Sequence, residues 1–359
     1  MSQIPFYDPL KTYEANYSEG PFGEFSNSNR YVQKGTPSIN YHGQNVFLPF
    51  GIPAGPILNS SFVQSAFQKG YDLVVYKTVR SNSFPCHAYP NIIPVDINGD
   101  LTLQRSQTPV HAKTTFTQPL TITNSFGVPS KKAEIWQEDV KIAISYEGIG
   151  QVLILSFMGT VKPNQTRDEL INDFVLSAQL AFETTAKILE VNLSCPNIGN
   201  EGLVCYDLSI TEEILFSIKN AIGNKPLIVK TGYFENETDL LKFAQICNKY
   251  AQGISAINTI PAPIVNDEGI QALPGKNRLK SGICGNAIRW AGLDMIRRLS
   301  QMRNKYGFTY TLDGVGGVQS VNDYNEYIKN GADAVFSATG SMWNPFLAQE
   351  IKSEVTNLF

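Results

Sequence analysis

Two lysines of this 359-residue chain, Lys77 and Lys230, each close a short apolar run, Leu-Val-Val-Tyr before the first and Leu-Ile-Val before the second. A lysine there either snorkels to solvent or aims a fixed positive charge at whatever the run leads into. Such a charge stabilises a carboxylate or a reduced, anionic cofactor ring. Asn192, Asn197 and Asn258 follow Val191, Pro196 and Ile257, and Asn124 ends the run Thr121-Ile122-Thr123. Each amide is both donor and acceptor, so four at one mouth suit a planar, amide-rich ring, whereas one buried alone is structural. Cys195 lies between Ser194 and Pro196. Most cysteines are inert buried hydrophobes, which suits Cys205, Cys247 and Cys284. At Cys195, near two asparagines, a thiol with an ordinary pKa of about 8.5 can act as a general base at mildly alkaline pH.

The elements that must position these groups follow from period and punctuation. Apolar runs at Val46–Ala54, Leu73–Val79, Val152–Phe157, Ile188–Ser194, Pro226–Thr231, Gly253–Thr259, Tyr310–Gly314 and Ala334–Ala338 read as strands. Helical period marks Glu169–Thr185, Ile210–Ile222, Thr238–Tyr250, Gln319–Lys329 and Pro345–Leu358, and Ser209 with Glu212 reads as a capping box. Near-continuous apolar strands alternating with helices imply parallel strands buried on both faces. Eight of them predict an α/β fold, a (β/α)8 TIM barrel, with a doubly wound open sheet as the rival. The surplus is an N-terminal extension, residues 1–45, and an inserted excursion, residues 81–130, of loops and short antiparallel strands; the barrel domain is 46–359. In a barrel the strand ends share one mouth. The turns Gly314-Val315-Gly316-Gly317 and Ala338-Thr339-Gly340 would then stand at the strand 7–8 corner, either as tight turns or as a phosphate seat.

Composition narrows the function. Lys plus Arg total 29 against 32 Asp plus Glu, a net charge of −3, which gives no footing for nucleic acid. Five cysteines without a CxxC pair, and three histidines all before residue 112, leave little for disulfides, a metal site or a Ser-His-Asp triad. No run is long enough for a membrane span, and the first twenty residues lack a secretory pattern. A cytoplasmic globular protein acting on a small molecule is expected.

The run Asn192–Asn197, NLSCPN, resembles the dihydroorotate dehydrogenases, in particular the soluble class that uses a cysteine base. The resemblance continues in order through YKTV (Tyr76–Val79), TNSFGVP (Thr123–Pro129), IVKTGYF (Ile228–Phe234), INT (Ile257–Thr259), DGVGGV (Asp313–Val318) and SATG (Ser337–Gly340). It implies a (β/α)8 barrel with FMN at its mouth. The FMN phosphate would sit on Gly316, Gly317, Ala338 and Thr339, and the flavin ring on Ala54, Gly55, Lys77, Thr78, Asn192, Lys230, Ile257 and Gly282. The pyrimidine and its carboxylate would meet Lys77, Asn124, Phe126, Gly127, Val128, Asn192, Asn197, Asn258 and Thr259. Cys195 would take the C5 proton while hydride passes from C6 to the flavin N5, and Lys230 would steady the reduced ring. A homodimer is implied, with fumarate, a quinone, oxygen or NAD through a partner subunit as acceptor. The turn at 280–290, residues 199–203, the long stretch 81–118 and residues 1–45 depart from the soluble class and bear on lid, acceptor or dimer surface. Reduction of another pyrimidine or of dihydrouridine, or a non-catalytic FMN- or phosphate-binding barrel, are the alternatives.

Overall fold

The computed structural model describes residues 4–194, 203–276 and 278–356. Eight parallel strands close a barrel in chain order: β1 Phe50–Ile52, β2 Leu73–Val79, β3 Val152–Phe157, β4 Ile188–Asn192, β5 Leu227–Thr231, β6 Gly253–Ala256, β7 Thr311–Val315 and β8 Ala334–Phe336. Helices follow them: α1 Ser60–Gln68, α2 Ala133–Ser145, α3 Arg167–Glu183, α4 Leu208–Ile222, α5 Glu237–Tyr250, α6 Arg289–Tyr306, α7 Val321–Lys329 and α8 Leu347–Thr356.

Alternation along each strand divides the core in two. Val74, Tyr76, Leu153, Leu155, Leu189 and Val229 pack outward with the helices. Leu73, Val75, Val152, Ile154, Ile188 and Ile228 pack together inside the barrel. That pattern, apolar on both faces, makes these strands readable as unbroken runs. The hairpin Ile39–Tyr41/Gln44–Val46 adds Tyr41 and Val46 to the interior cluster, plugging the barrel. There the Tyr41 hydroxyl donates to Asp313 Oδ2 at 2.8 Å.

The run Val46–Ala54 is not one strand. Val46 ends the hairpin and only Phe50–Ile52 joins the barrel, because Pro49 and Pro53 bracket those three residues and cannot donate to a ladder. The capping box at Ser209 is also corrected. Asp207 caps α4, accepting from Ile210 N–H at 3.0 Å, while Ser209 Oγ accepts from Arg167 at 2.7 Å. The box belongs instead to α3, between Thr166 and Glu169.

A second sheet covers the mouth. Its strands run in the order Ile92–Pro94, Thr121–Asn124, Lys280–Gly285, Ile260–Val265 and Val110–His111. The excursion supplies three of these strands, but Val110–His111 pairs parallel, not antiparallel, with Ile260–Val265. Residues 260–285, beyond β6, supply the other two.

Candidate active site

A cavity of about 360 Å³ opens at the C-terminal ends of the barrel strands beneath the second sheet. Ala54 and Gly55 follow β1 at its wall, Lys77 and Thr78 come from β2, Asn192 from β4 and Lys230 from β5. Ile257, Asn258 and Thr259 follow β6; Gly316 and Gly317 follow β7; Ala338 and Thr339 follow β8. Asn124, Phe126, Gly127, Val128 and Gly282 enter from the covering sheet and its loop. The structure thus gathers eighteen predicted residues around one space. Cys195 and Asn197 lie outside the described residues.

The two lysines define the electrostatics. The β2–β3 register shifts between Tyr76 and Val79, and a bulge of that kind re-aims the residues within it, here Lys77 and Thr78. The Lys77 ammonium donates to the carbonyls of Pro129 and, at 3.4 Å, Thr78. Lys230 Nζ reaches Ala54 O at 3.4 Å. Both side chains are buried, and neither forms an ion pair among the described residues. Burial, aided by the nearby Arg80 charge, pushes the Lys77 ammonium down to about 7. Buried charges are normally paired, so this wall is built for an anion.

The amides are oriented by their neighbours. Ser194 N–H donates to Asn192 Oδ1 at 2.9 Å, which leaves Nδ2 as the donor of that side chain. Asn124 pairs in register with Gly282 across the covering sheet, and its Nδ2 meets Cys284 Sγ at 3.3 Å. Cys284, expected to be an inert core residue, therefore lines the cavity, although burial holds its thiol above the ordinary range. Asn258 N–H donates to Thr231 O at 2.9 Å, tying the chain beyond β6 to the end of β5.

One guanidinium organises the loop beside Lys77. Arg80 donates to Val128 O at 2.9 Å, Gly127 O at 3.2 Å and Thr160 Oγ1 at 3.1 Å. Val128 holds φ +52, the left-handed region a β-branched residue avoids. These bonds sustain that conformation and place Phe126, Gly127 and Val128 on the cavity wall.

At the opposite end Gly316 and Gly317 have φ +131 and +71. A Cβ on Gly317 would stand 2.6 Å from Arg289 Cβ and 2.9 Å from Gly285 O. The buried Tyr327 hydroxyl donates to Gly316 O at 2.7 Å, holding that carbonyl toward α7. The turn does not open directly into α7, which starts at Val321 with Ser320 as its cap. Sequence reasoning also missed Tyr7 and Tyr13, cavity-lining residues of the N-terminal segment. Only their aromatic character was visible, and nothing in their spacing links them to Lys77.

A parallel barrel with a cationic, amide-lined cavity at its strand ends defines an enzyme scaffold for small anionic ligands. Residues 105–359 match the family model described as dihydroorotate dehydrogenase. A protein of Dictyostelium discoideum named dihydroorotate dehydrogenase is 34% identical over 359 residues, 96% of this chain and 96% of that protein. The catalytic subunit of dihydroorotate dehydrogenase B (NAD(+)) from Staphylococcus carnosus (strain TM300) is 29% identical over 52% of this chain and 58% of that subunit. Its namesake in Exiguobacterium sibiricum is 30% identical over 50% of this chain and 56% of that subunit. The chain belongs to the dihydroorotate dehydrogenase family, a family of oxidoreductases. Among the described residues no helix is long and apolar enough to cross a membrane.

Proposed function

We propose that the protein oxidises dihydroorotate to orotate in pyrimidine synthesis, with FMN as its cofactor. The observation that carries this reading is the pair of buried ammonium groups, Lys77 and Lys230, facing one amide-lined cavity without a carboxylate partner among the described residues. A carboxylated pyrimidine and a phosphate-bearing cofactor supply the charge such a cavity lacks.

The residues fit the cofactor. Gly55 holds φ +139 with open space where a Cβ would stand, so a flat ring can approach the backbone there. Gly316 and Gly317 give a close backbone approach at the far end, beside Ala338 and Thr339, as a phosphate requires. These residues would hold FMN, which would supply a hydride acceptor for the oxidation. The chain's own groups do the rest. Lys77 pairs with the substrate carboxylate. Asn124, Asn192, Asn258 and, by resemblance, Asn197 hold the alternating N–H and C=O edge of the ring, with Thr259 beside them. The Cys195 thiolate removes the C5 proton. Lys230, fixed near Ala54, supports negative charge on the cofactor side. The reading carries with it a cytoplasmic homodimer.

Anaerobic titration of the purified protein with dihydroorotate tests this directly. A visible flavin band that bleaches in proportion to substrate is the expected result. A yellow protein that does not bleach rejects the substrate, and a colourless protein that cannot be reconstituted with FMN rejects the cofactor.

A further inference from the structure

The N-terminal segment is fastened across the cavity. Phe6 N–H donates to Met342 O at 3.0 Å, and Phe22 N–H returns to Phe6 O at 3.0 Å. Asn59 of the β1–α1 connection donates to Tyr17 O at 2.7 Å. Phe6 packs on Phe25 and Phe62 with ring centres 4.3 and 6.1 Å apart. Between these anchors the buried Asn16 side chain accepts from Asp8 N–H at 2.8 Å and donates to Asp8 O and Thr12 O, each at 2.9 Å. That network fixes the turn that carries Tyr7 and Tyr13.

Both tyrosines reach the cavity wall. Their rings stand edge-on to Phe126 at 5.5 and 6.2 Å, and the Lys77 ammonium lies 5.7 Å from the centre of the Tyr13 ring. Apart from that ring, Lys77 has only the Pro129 and Thr78 carbonyls as hydrogen-bond partners among the described residues. An aromatic face attracts a cation most where water is excluded, and both groups are buried.

We propose that Tyr13 is a positioning residue of the substrate site: its ring seats the Lys77 ammonium at the cavity wall, so that residues 4–19 are part of the active site. The seat is a property of the chain itself; only its consequence for orotate rests on the function proposed above. Thr12 caps the helix Tyr13–Glu19 by accepting from Ala15 N–H at 3.1 Å, and so holds Tyr13 at the first helical position. A Tyr13 side chain serving merely as bulk would be replaceable by any apolar residue of its size. One seating the cation through its ring is replaceable only by another ring.

The test compares the full-length native protein with Tyr13→Phe, Tyr13→Leu and Tyr13→Met. Acetic anhydride labelling followed by mass spectrometry reads the reactivity of Lys77, and calorimetry of the flavin-loaded proteins reads orotate affinity. The leucine and methionine variants are expected to label Lys77 several-fold faster, bind orotate about tenfold more weakly, and raise the dihydroorotate KM more than they lower kcat. Flavin content is unchanged in both, and Tyr13→Phe stays within twofold of native. Two variants without a ring guard against one failing to fold. Native-like labelling and affinity in them, or a phenylalanine variant as impaired as the leucine one, overturns the proposal. If the native protein itself binds no orotate, the substrate assignment fails, and the labelling comparison still decides the role of Tyr13.

Discussion

Lys77 gathers the consequences of burial into one side chain. Its ammonium is pushed down to about 7 by desolvation, with Arg80 adding repulsion, so protonation changes within the working range of an enzyme. An anionic ligand needs the cation. Orotate affinity is therefore expected to be high below pH 7 and to fall by up to about tenfold per unit above it, the slope of a single proton. Lys77→Met should bind weakly at every pH with that dependence removed. Calorimetric titrations between pH 6 and 9 read both, and a flat native profile would exclude Lys77 as the carboxylate partner. Cys195 pulls the other way, since a base must lose its proton. Cys195→Ser is expected to lower turnover by about 10²- to 10⁴-fold while FMN content is retained. Turnover near native would move the proton abstraction to another group.

At the scale of elements, the turn after β7 and the interior of that strand make separate demands. Gly317→Ala adds a Cβ 2.6 Å from Arg289 Cβ at φ +71, whereas Gly307, at φ +68, has nothing within 4 Å. Both alanine variants should lose thermal stability through backbone strain, but only Gly317→Ala should also lose flavin, as absorbance after gel filtration would report. Inside β7, burial holds the Asp313 carboxyl well above the ordinary range, against the bond from Tyr41. A carboxyl whose folded pKa is raised stabilises the fold at low pH, and that contribution fades as pH climbs from about 4. Asp313→Asn should therefore raise Tm at pH 7, with the gain closing toward pH 4; equal Tm values at pH 7 would contradict a desolvated carboxylate. The same elements set what the sequence could show. Strands β2 to β5 are legible because both faces are apolar. The short β1 is not, since Pro49 and Pro53 leave it three residues. The covering strands IPAPIV and KSGICG carry prolines and glycines that argue against strand, and α6, with six charged residues among RWAGLDMIRRLSQMRNKY, hides its apolar stripe. Lysines, asparagines and glycine turns could be named because each ends a readable run. Tyr7, Tyr13 and Arg80 act through tertiary contacts that no local pattern announces.

In the whole molecule, the barrel closes at its thinnest seam. Strand β1 shares two register pairs with β8, Val335 with Phe50 and Phe336 with Gly51, and two with β2, where β3 and β4 share four. So short a ladder gives few backbone bonds, and the chain ends compensate. The N-terminal segment is tied to Met342 beyond β8. Helix α8 reaches the start of β2 through Lys352, whose ammonium lies 2.6 Å from Asp72 Oδ1, both groups buried, while Asp72 Oδ2 accepts from Leu48 N–H at 2.7 Å. Gln349 adds a bond to Lys69 O at 3.1 Å. Burial outweighs pairing in the titration of both partners: the Asp72 carboxyl is held above, and the Lys352 ammonium below, its ordinary range. Such a pair costs much to break and little to replace. Lys352→Met should destabilise the fold by about 3–5 kcal/mol by stranding the Asp72 charge. Adding Asp72→Asn, which keeps an acceptor for Leu48 N–H, should recover part of that loss. Urea unfolding of the two single variants and the double decides it: a double variant whose loss is the sum of the two singles would mean that the two residues act independently, and that the seam between first and last strands is held without their pairing.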